Sequence, residues 1–353
     1  MSIGLPGAAL LVLTAFVVSA GLSGAARRYA LSRSLLDVPN ERSLHSVPTP
    51  RGGGVAIVVV VVASLALLAA WGVVEARLAL ALGGGGALVA GVGWLDDRHG
   101  VTPRARFAVQ VLAAAWAIGW LGGMPELTVG ARAVHLGAAG AILAALGIVW
   151  LTNLYNFMDG IDGIAATEAI VVGLGGALLV AGVSPPLTLI SALVAAAAAG
   201  FLVWNRPPAR LFMGDVGSGF LGFLFGGLAL ASERARALPA ILWLILLGPF
   251  FVDATVTLLR RLARGDRWYE AHRSHAYQRA VQAGWSHGRV TGTVAGLSLI
   301  AVAAGWLVGR EPAALGLVAV STVAGLGAVY VAVERWYPMT RRQGQADRKS
   351  GSI

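Results

Sequence analysis

Long apolar runs follow one another along the chain, interrupted by short polar stretches. A helix that crosses a bilayer needs about 20 predominantly apolar residues. Read on that length, the sequence predicts about eleven spans, near 4–26, 52–74, 78–95, 106–122, 137–155, 164–182, 187–204, 216–231, 238–259, 290–309 and 314–333. No polar stretch between them is long enough for a separate soluble domain. Residues 1–340 therefore read as one transmembrane domain, and 341–353 as a disordered polar tail. The expected fold is an all-α polytopic membrane protein. The first run reads as a retained span, because no basic residue precedes it and Arg27 and Arg28 follow it. A cleaved secretory signal has the opposite charge order.

Composition supports the same class. Only 12% of the 353 residues are charged, against about a quarter in soluble domains. Cysteine is absent, which excludes disulfides, thiolate zinc sites and a cysteine nucleophile. The net charge of +10 is explained by its placement. With the amino terminus outside, the segments 27–51, 96–105, 156–163, 205–215, 260–289 and 334–353 face the cytoplasm. All but five of the 27 Lys and Arg residues lie in these segments or at their edge, the exceptions being Arg77, Arg132, Arg234, Arg236 and Arg310. This is the positive-inside asymmetry. The basic face also suits anionic lipids and phosphorylated substrates, and no motif points to nucleic acid.

Polar residues beside lipid are costly and usually functional. Here they form five clusters, all on the predicted cytoplasmic side. The first runs from Asp37 through His45 to Pro48-Thr-Pro-Arg51-Gly-Gly-Gly54. Its glycine amides at a helix start, beside Arg51, can hold a phosphate, although a plain turn with basic flanks explains them equally well. The second is the pair Asp96-Asp97 at the end of the third span. Adjacent carboxylates repel each other and a cation relieves them, whereas an isolated pair can simply end a helix in water. The third is Asn153, Asn156, Asp159 and Asp162, one every third residue. On a helix these would form a continuous ridge of hard oxygen donors suited to magnesium or manganese. A helix cap explains one Asn-Asp pair but not four groups in step. The fourth is Phe212-Met-Gly-Asp215, where Asp215 is either a helix cap or a metal ligand. The fifth is the basic loop 260–289 with His272-Arg273-Ser-His275, which suits phosphate binding better than zinc. His99, His135 and His287 receive no role, and Asp253 lies deeper with no partner evident from sequence.

Together these blocks resemble the polyprenyl-phosphate N-acetylhexosamine-1-phosphate transferases (glycosyltransferase family 4). The resemblance runs from about Asp37 to Arg279. It rests on Asp96-Asp97, the NxxNxxDGxDG block from Asn153 to Gly163, FMGD ending at Asp215, and the histidine loop. PTPRGGG and HRSHAYQR look most like the branch that initiates O-antigen. Gly100, where the family often carries Asp or Lys, and the interrupted histidine run argue against the MurNAc-pentapeptide branch.

The resemblance implies transfer of a sugar-1-phosphate from a UDP-N-acetyl sugar to undecaprenyl phosphate, with release of UMP, at the cytoplasmic face of a bacterial inner membrane. The amino terminus would be periplasmic and the carboxyl terminus cytoplasmic. It implies Mg2+, or Mn2+ in its place, at Asp215 and Asn156, with Asp96, Asp97, Asp159 and Asp162 catalytic. Asn153, Arg51, His45, His272, Arg273 and His275 would bind substrate. Membrane lipids are further partners, and a homodimer is left open. The alternative from another class is an ion-coupled transporter, whose carboxylates would lie near the bilayer midplane. A lipid-binding scaffold would leave the aspartates unexplained.

Overall fold

Each apolar run becomes helical. The computed structural model describes residues 4–39, 44–266 and 272–339, and these form α1 (Leu5–Ser32), α2 (Val55–Ala70), α3 (Ala76–His99), α4 (Pro103–Leu121), α5 (Ala139–Phe157), α6 (Ile164–Val180), α7 (Pro185–Asn205), α8 (Asp215–Arg234), α9 (Ala240–Leu246), α10 (Gly248–Ala263), α11 (Ala276–Gln282), α12 (His287–Arg310) and α13 (Leu315–Trp336). Ten of the eleven expected spans coincide with a single helix. Among the described residues seven helices are long and apolar enough to cross a membrane, eight if α9 and α10 count as one. The shorter apolar helices α2 and α6, and α4 with Arg104 and Arg106 in its first turn, make up the rest. The protein is a multi-pass membrane protein. The expected tail, 341–353, lies outside the described residues.

The ninth run departs from expectation. Instead of one span it forms α9 and α10, which meet at 85°. Pro249 is the second residue of α10. It has no N–H for the preceding turn and its ring crowds the carbonyl there, so the helix restarts rather than continues.

The core is built around α8, which lies between α3 and α5 and buries Phe220, Phe223 and Phe225 completely. In lipid, close packing replaces the hydrophobic effect as the force between helices, and small residues allow it. A methyl group added at Gly54 would overlap the Cα of Gly217, so the start of α2 and the first turn of α8 touch backbone to backbone. The outer pair α1 and α7 is tied by Ser19 Oγ donating to the Ala197 carbonyl (2.6 Å) and Trp204 Nε1 donating to that of Ala20 (2.9 Å).

The alternation of helices sorts the chain into two ends. One end gathers the last turns of α3, α5 and α7, the first turns of α2, α4 and α8, and the ribbon pairing β1 (Leu36–Asp37) with β2 (Thr49–Pro50). The opposite end carries a hairpin of β3 (Glu126–Val129) and β4 (Arg132–His135). There the buried Glu233 of α8 accepts from the Thr128 amide (2.8 Å) and hydroxyl (2.6 Å) and from the Ala240 amide (2.6 Å), fixing the hairpin and the start of α9. Every charged or amide residue expected at the site belongs to the first end or to the loop before α11.

Candidate active site

The site begins at the amino terminus of α8. Gly214, at φ +76°, turns the chain into the helix, and Asp97 of α3 receives the first amides. Its Oδ1 accepts from the Asp215 N–H at 3.0 Å and its Oδ2 from Val216 at 3.2 Å. The glycine segment before α2 closes on the same place. Gly53 and Gly54 donate to the Phe212 and Met213 carbonyls, each at 2.9 Å, and Phe212 donates back to Pro50 at 2.8 Å. Two of the amides read from sequence as open to phosphate are therefore taken by the FMGD segment. Gly217, in the first turn of α8, leaves room for the start of α2.

Two arginines bind this cluster together. Arg51 donates from Nε to Asp97 and from NH2 to Asp215, both at 2.9 Å. Arg106 of α4 reaches Asp96 at 2.5 Å and Asp215 at 3.2 Å. Burial disfavours the Arg51 charge, but Asp97 and Asp215 outweigh it and hold its pKa above the ordinary guanidinium value. No basic residue adjoins Asp215 in sequence, yet both its oxygens face guanidinium groups brought from elsewhere in the chain.

The third cluster divides. α5 stops at Phe157, so only Asn153 and Asn156 lie on a helix, and the ridge does not continue through Asp159 and Asp162. Asn153 is engaged with Gln110 of α4, its Nδ2 donating at 2.7 Å. Asp162 organises the chain around it. It accepts from the Ala209 amide (3.0 Å), pairs with His287 (3.3 Å), and its own carbonyl accepts from Thr291 (3.1 Å). Burial alone would raise its pKa; the bonds from His287 and Ala209 hold it below the usual carboxylate range. Asp159 is the opposite case. Its carboxylate has no hydrogen-bond donor among the described residues, and burial, then the charges of Asp215, Asp97 and Asp162 against the pull of Arg51, push its pKa well up.

The histidine loop is anchored from beneath. Asp253 of α10 accepts from the amides of Ala276 (2.8 Å) and Tyr277 (3.0 Å) and lies 3.5 Å from His275 Nδ1. It thus has the partners that sequence did not supply. Tyr277 donates to the Phe157 carbonyl at 2.9 Å, joining α11 to the end of α5. His275 is buried beside the Phe157 and Tyr277 rings, with the His272 ring 4.9 Å away. Arg273 is half-buried with no ion pair among the described residues. The basic residues Arg260 and Arg279, by contrast, are both held by Glu334 of α13. His45 stacks edge-on against Phe212 at 4.9 Å, with a buried Nε2 that has no hydrogen-bond partner among the described residues.

Sequence reasoning missed Arg106, Gln110 and His287. Arg106 and Gln110 stand four residues apart, one helix face, and that spacing was the available signal. His287 offered none, since its partner lies 125 residues away.

The donor set fits a hard divalent cation. Asp96, Asp97 and Asp215 outnumber Arg51 and Arg106, and Asp159, raised toward its neutral form by burial and the carboxylates around it and without a hydrogen-bond donor among the described residues, would be relieved by a cation. Among the described residues no three acidic or histidine side chains converge as a metal cage. Magnesium does not require one, because it is commonly held by one or two carboxylates together with substrate phosphates.

The chain also compares with known proteins. Residues 78–233 match the family described as glycosyl transferase family 4. The decaprenyl-phosphate N-acetylglucosaminephosphotransferase of Mycobacterium tuberculosis is 30% identical over 318 residues, covering 80% of this chain and 78% of that protein. A probable undecaprenyl-phosphate N-acetylglucosaminyl 1-phosphate transferase of Bacillus subtilis is 30% identical over 289 residues, covering 78% and 79%. A phospho-N-acetylmuramoyl-pentapeptide-transferase of Synechococcus sp. is 31% identical over 237 residues, covering 61% and 67%.

Proposed function

The chain belongs to glycosyl transferase family 4, and we propose that it transfers N-acetylglucosamine-1-phosphate from UDP-GlcNAc to undecaprenyl phosphate, releasing UMP. The observation that carries this reading is the cluster of Asp96, Asp97 and Asp215 held by Arg51 and Arg106 at one end of the bundle, with Asp159 near enough to feel the charges of Asp215 and Arg51. Relatives that act with N-acetylglucosamine and a polyprenyl phosphate support the choice of sugar and acceptor. The step would initiate a cell-surface polysaccharide, of O-antigen or a related type. The placement of basic residues supports a cytoplasmic site.

The chemistry asks little of a general base. The second ionisation of a phosphate monoester lies near pH 6, so the acceptor arrives largely as a dianion. The enzyme must instead neutralise charge and align the two phosphates. Arg51 and Arg106 are suited to this, since a guanidinium can turn from a carboxylate to phosphate oxygens with the same two-pronged geometry. Asp97 holds the start of α8 and orients Arg51; Asp96 orients Arg106. Asp215 and Asp159, with the amide oxygen of Asn156, would hold magnesium. When bound, that ion would shield the pyrophosphate and make its phosphorus more electrophilic. His272, Arg273 and His45 stand ready as further hydrogen-bond donors to phosphate. His275 and Asp162 serve instead to position the two loops around the cleft.

An ion-coupled transporter is less well supported. The deep carboxylate it would use, Asp253, is committed to the amides of Ala276 and Tyr277. Membranes containing the protein should release UMP from UDP-GlcNAc only when undecaprenyl phosphate is added. A panel with UDP-GalNAc and 6-deoxy UDP-sugars tests the sugar, and release from another member but not from UDP-GlcNAc would overturn that assignment.

A further inference from the structure

The last helix, α13, reaches the histidine loop through two side chains one turn apart, Tyr330 and Glu334, which share one helix face. Glu334 accepts from Arg260, in the last turn of α10, through both oxygens, at 2.8 and 2.7 Å. The same carboxylate accepts from Arg279 of α11, whose NH1 also donates to the Tyr337 carbonyl at 2.9 Å. One side chain therefore joins α10 to α11, and His272, Arg273 and His275 lie on the chain between them. Tyr330 makes a second route to the same place. Its buried ring lies against both guanidinium groups, 5.7 Å from Arg260 and 5.1 Å from Arg279. Its hydroxyl is 3.2 Å from that of Thr257, which donates to Asp253 at 3.1 Å. Asp253 is the carboxylate that accepts the Ala276 and Tyr277 amides.

We propose that Glu334, with Tyr330 beneath it, is a positioning residue for the transfer reaction: it clamps α11 to α10 and so fixes where His272 and Arg273 stand. This rests on the transferase reading, in which those two residues donate to phosphate. Glu334 is no candidate for touching substrate, because both its oxygens are taken by guanidinium groups. Its effect passes through α11, which Tyr277 ties to the end of α5 beside the aspartates. Stability alone does not account for the pair. Arg279 is 1% exposed, and its Nε and NH2 have no hydrogen-bond partner among the described residues. A buried ion pair left so incomplete stabilises a fold no better than two well-packed apolar side chains would. Two apolar side chains would not fix the spacing of three helix ends, whereas a carboxylate shared by two guanidinium groups does.

The test compares variants of the full chain in vesicles by steady-state kinetics and by hydrogen exchange. Glu334→Gln should raise the KM for UDP-GlcNAc about tenfold and leave the acceptor KM within about twofold. Exchange at the Ala276 and Tyr277 amides should quicken by about the same tenfold. The double variant Glu334→Leu with Arg279→Met removes both charges and should recover the parent's thermal stability, yet keep the raised KM and the fast exchange. If KM and exchange return to parent values together with stability, the pair is structural only and the proposal is overturned. Tyr330→Phe keeps the ring and loses the contact with Thr257. It supplies a milder variant if Glu334→Gln does not fold, with exchange at both amides about threefold faster. Parent exchange in every folded variant, fast exchange with a parent KM, or a rise confined to the acceptor KM would each overturn the proposal. Fast exchange in a protein that releases no UMP from any UDP-sugar would keep the clamp and remove the transferase reading. UMP release with parent KM and parent exchange would do the reverse.

Discussion

Asp97 caps the helix that Asp215 begins, accepting the Asp215 and Val216 amides at 3.0 and 3.2 Å. The two carboxylates are 118 residues apart in sequence and share Arg51. A variant at Asp97 therefore acts on structure as well as on chemistry. Loss of an N-cap costs about 1–2 kcal/mol. Asp97→Ala should lower thermal stability by roughly that amount, and Asp97→Asn, which keeps one amide-accepting oxygen, by less than half of it. Unfolding of both variants in the same detergent checks this. Equal stability of Asp97→Ala and the parent would remove the capping role.

Asp215 presents the other side of the pair. Asp215→Asn keeps the size and the helix start but leaves Arg51 and Arg106 short of one counter-charge and removes a candidate magnesium ligand. Turnover should fall by about 100-fold or more, with the protein still folded in the membrane. A magnesium titration of activity reads it, and an active variant with unchanged magnesium dependence would take Asp215 out of the site.

Asp159 should show the conflict between stability and function. Its pKa in the folded chain is raised above the ordinary 3.8, so the folded state binds its proton more tightly than the unfolded state. Its contribution to stability is most favourable below about 3.8 and declines as pH rises toward the folded value. Above that value the ionised group carries its full cost. Asp159→Asn should accordingly unfold a few degrees higher than the parent at pH 7–8 without magnesium, lose that advantage near pH 4, and be inactive. Magnesium should stabilise the parent and not the variant. A variant less stable than the parent at pH 7–8 would contradict the assignment.

Asp253 should govern the histidine loop. Asp253→Ala leaves two buried amides without an acceptor, a cost of about 1–3 kcal/mol each. Hydrogen exchange at Ala276 and Tyr277 should accelerate, and the KM for the UDP-sugar should rise. Unchanged exchange at both amides would show that the loop is held by other contacts.

Much of this arrangement was legible in the sequence because the chain is so apolar. Against that background Asp96, Asp97, Asp159 and Asp215 stand out, and counting spans places them at the same ends of successive helices. The helix positions followed from run length alone, except where Pro249 breaks the ninth. What could not be read was the pairing. Asp215 has no basic neighbour in sequence, and nothing local shows that Arg51 and Arg106 converge on it. Asp253 looked solitary for the same reason. The amides of Gly53 and Gly54 looked open because their partners, the carbonyls of Phe212 and Met213, are over 150 residues away. Periodicity suggested that Asn153 to Asp162 formed one ridge, but the helix ends at Phe157 and the four groups take separate tasks.

The mechanism also predicts a single displacement. Asp97 and Asp96 are occupied by amides and guanidinium groups, and the acceptor needs little activation, so the lipid phosphate should attack directly. Incubation with labelled UDP-GlcNAc in the absence of lipid should give neither UMP nor labelled protein. Stoichiometric UMP release with covalent label on an aspartate would establish a two-step route instead.

The most direct measurement follows the phosphorus itself. UDP-GlcNAc labelled only at the phosphate attached to the sugar, incubated with purified protein, magnesium and undecaprenyl phosphate, should place the label in the lipid product, in step with unlabelled UMP. Label retained in released UDP would mean that the sugar moves without its phosphate, and no label in lipid under any of these conditions would contradict the transferase account as a whole.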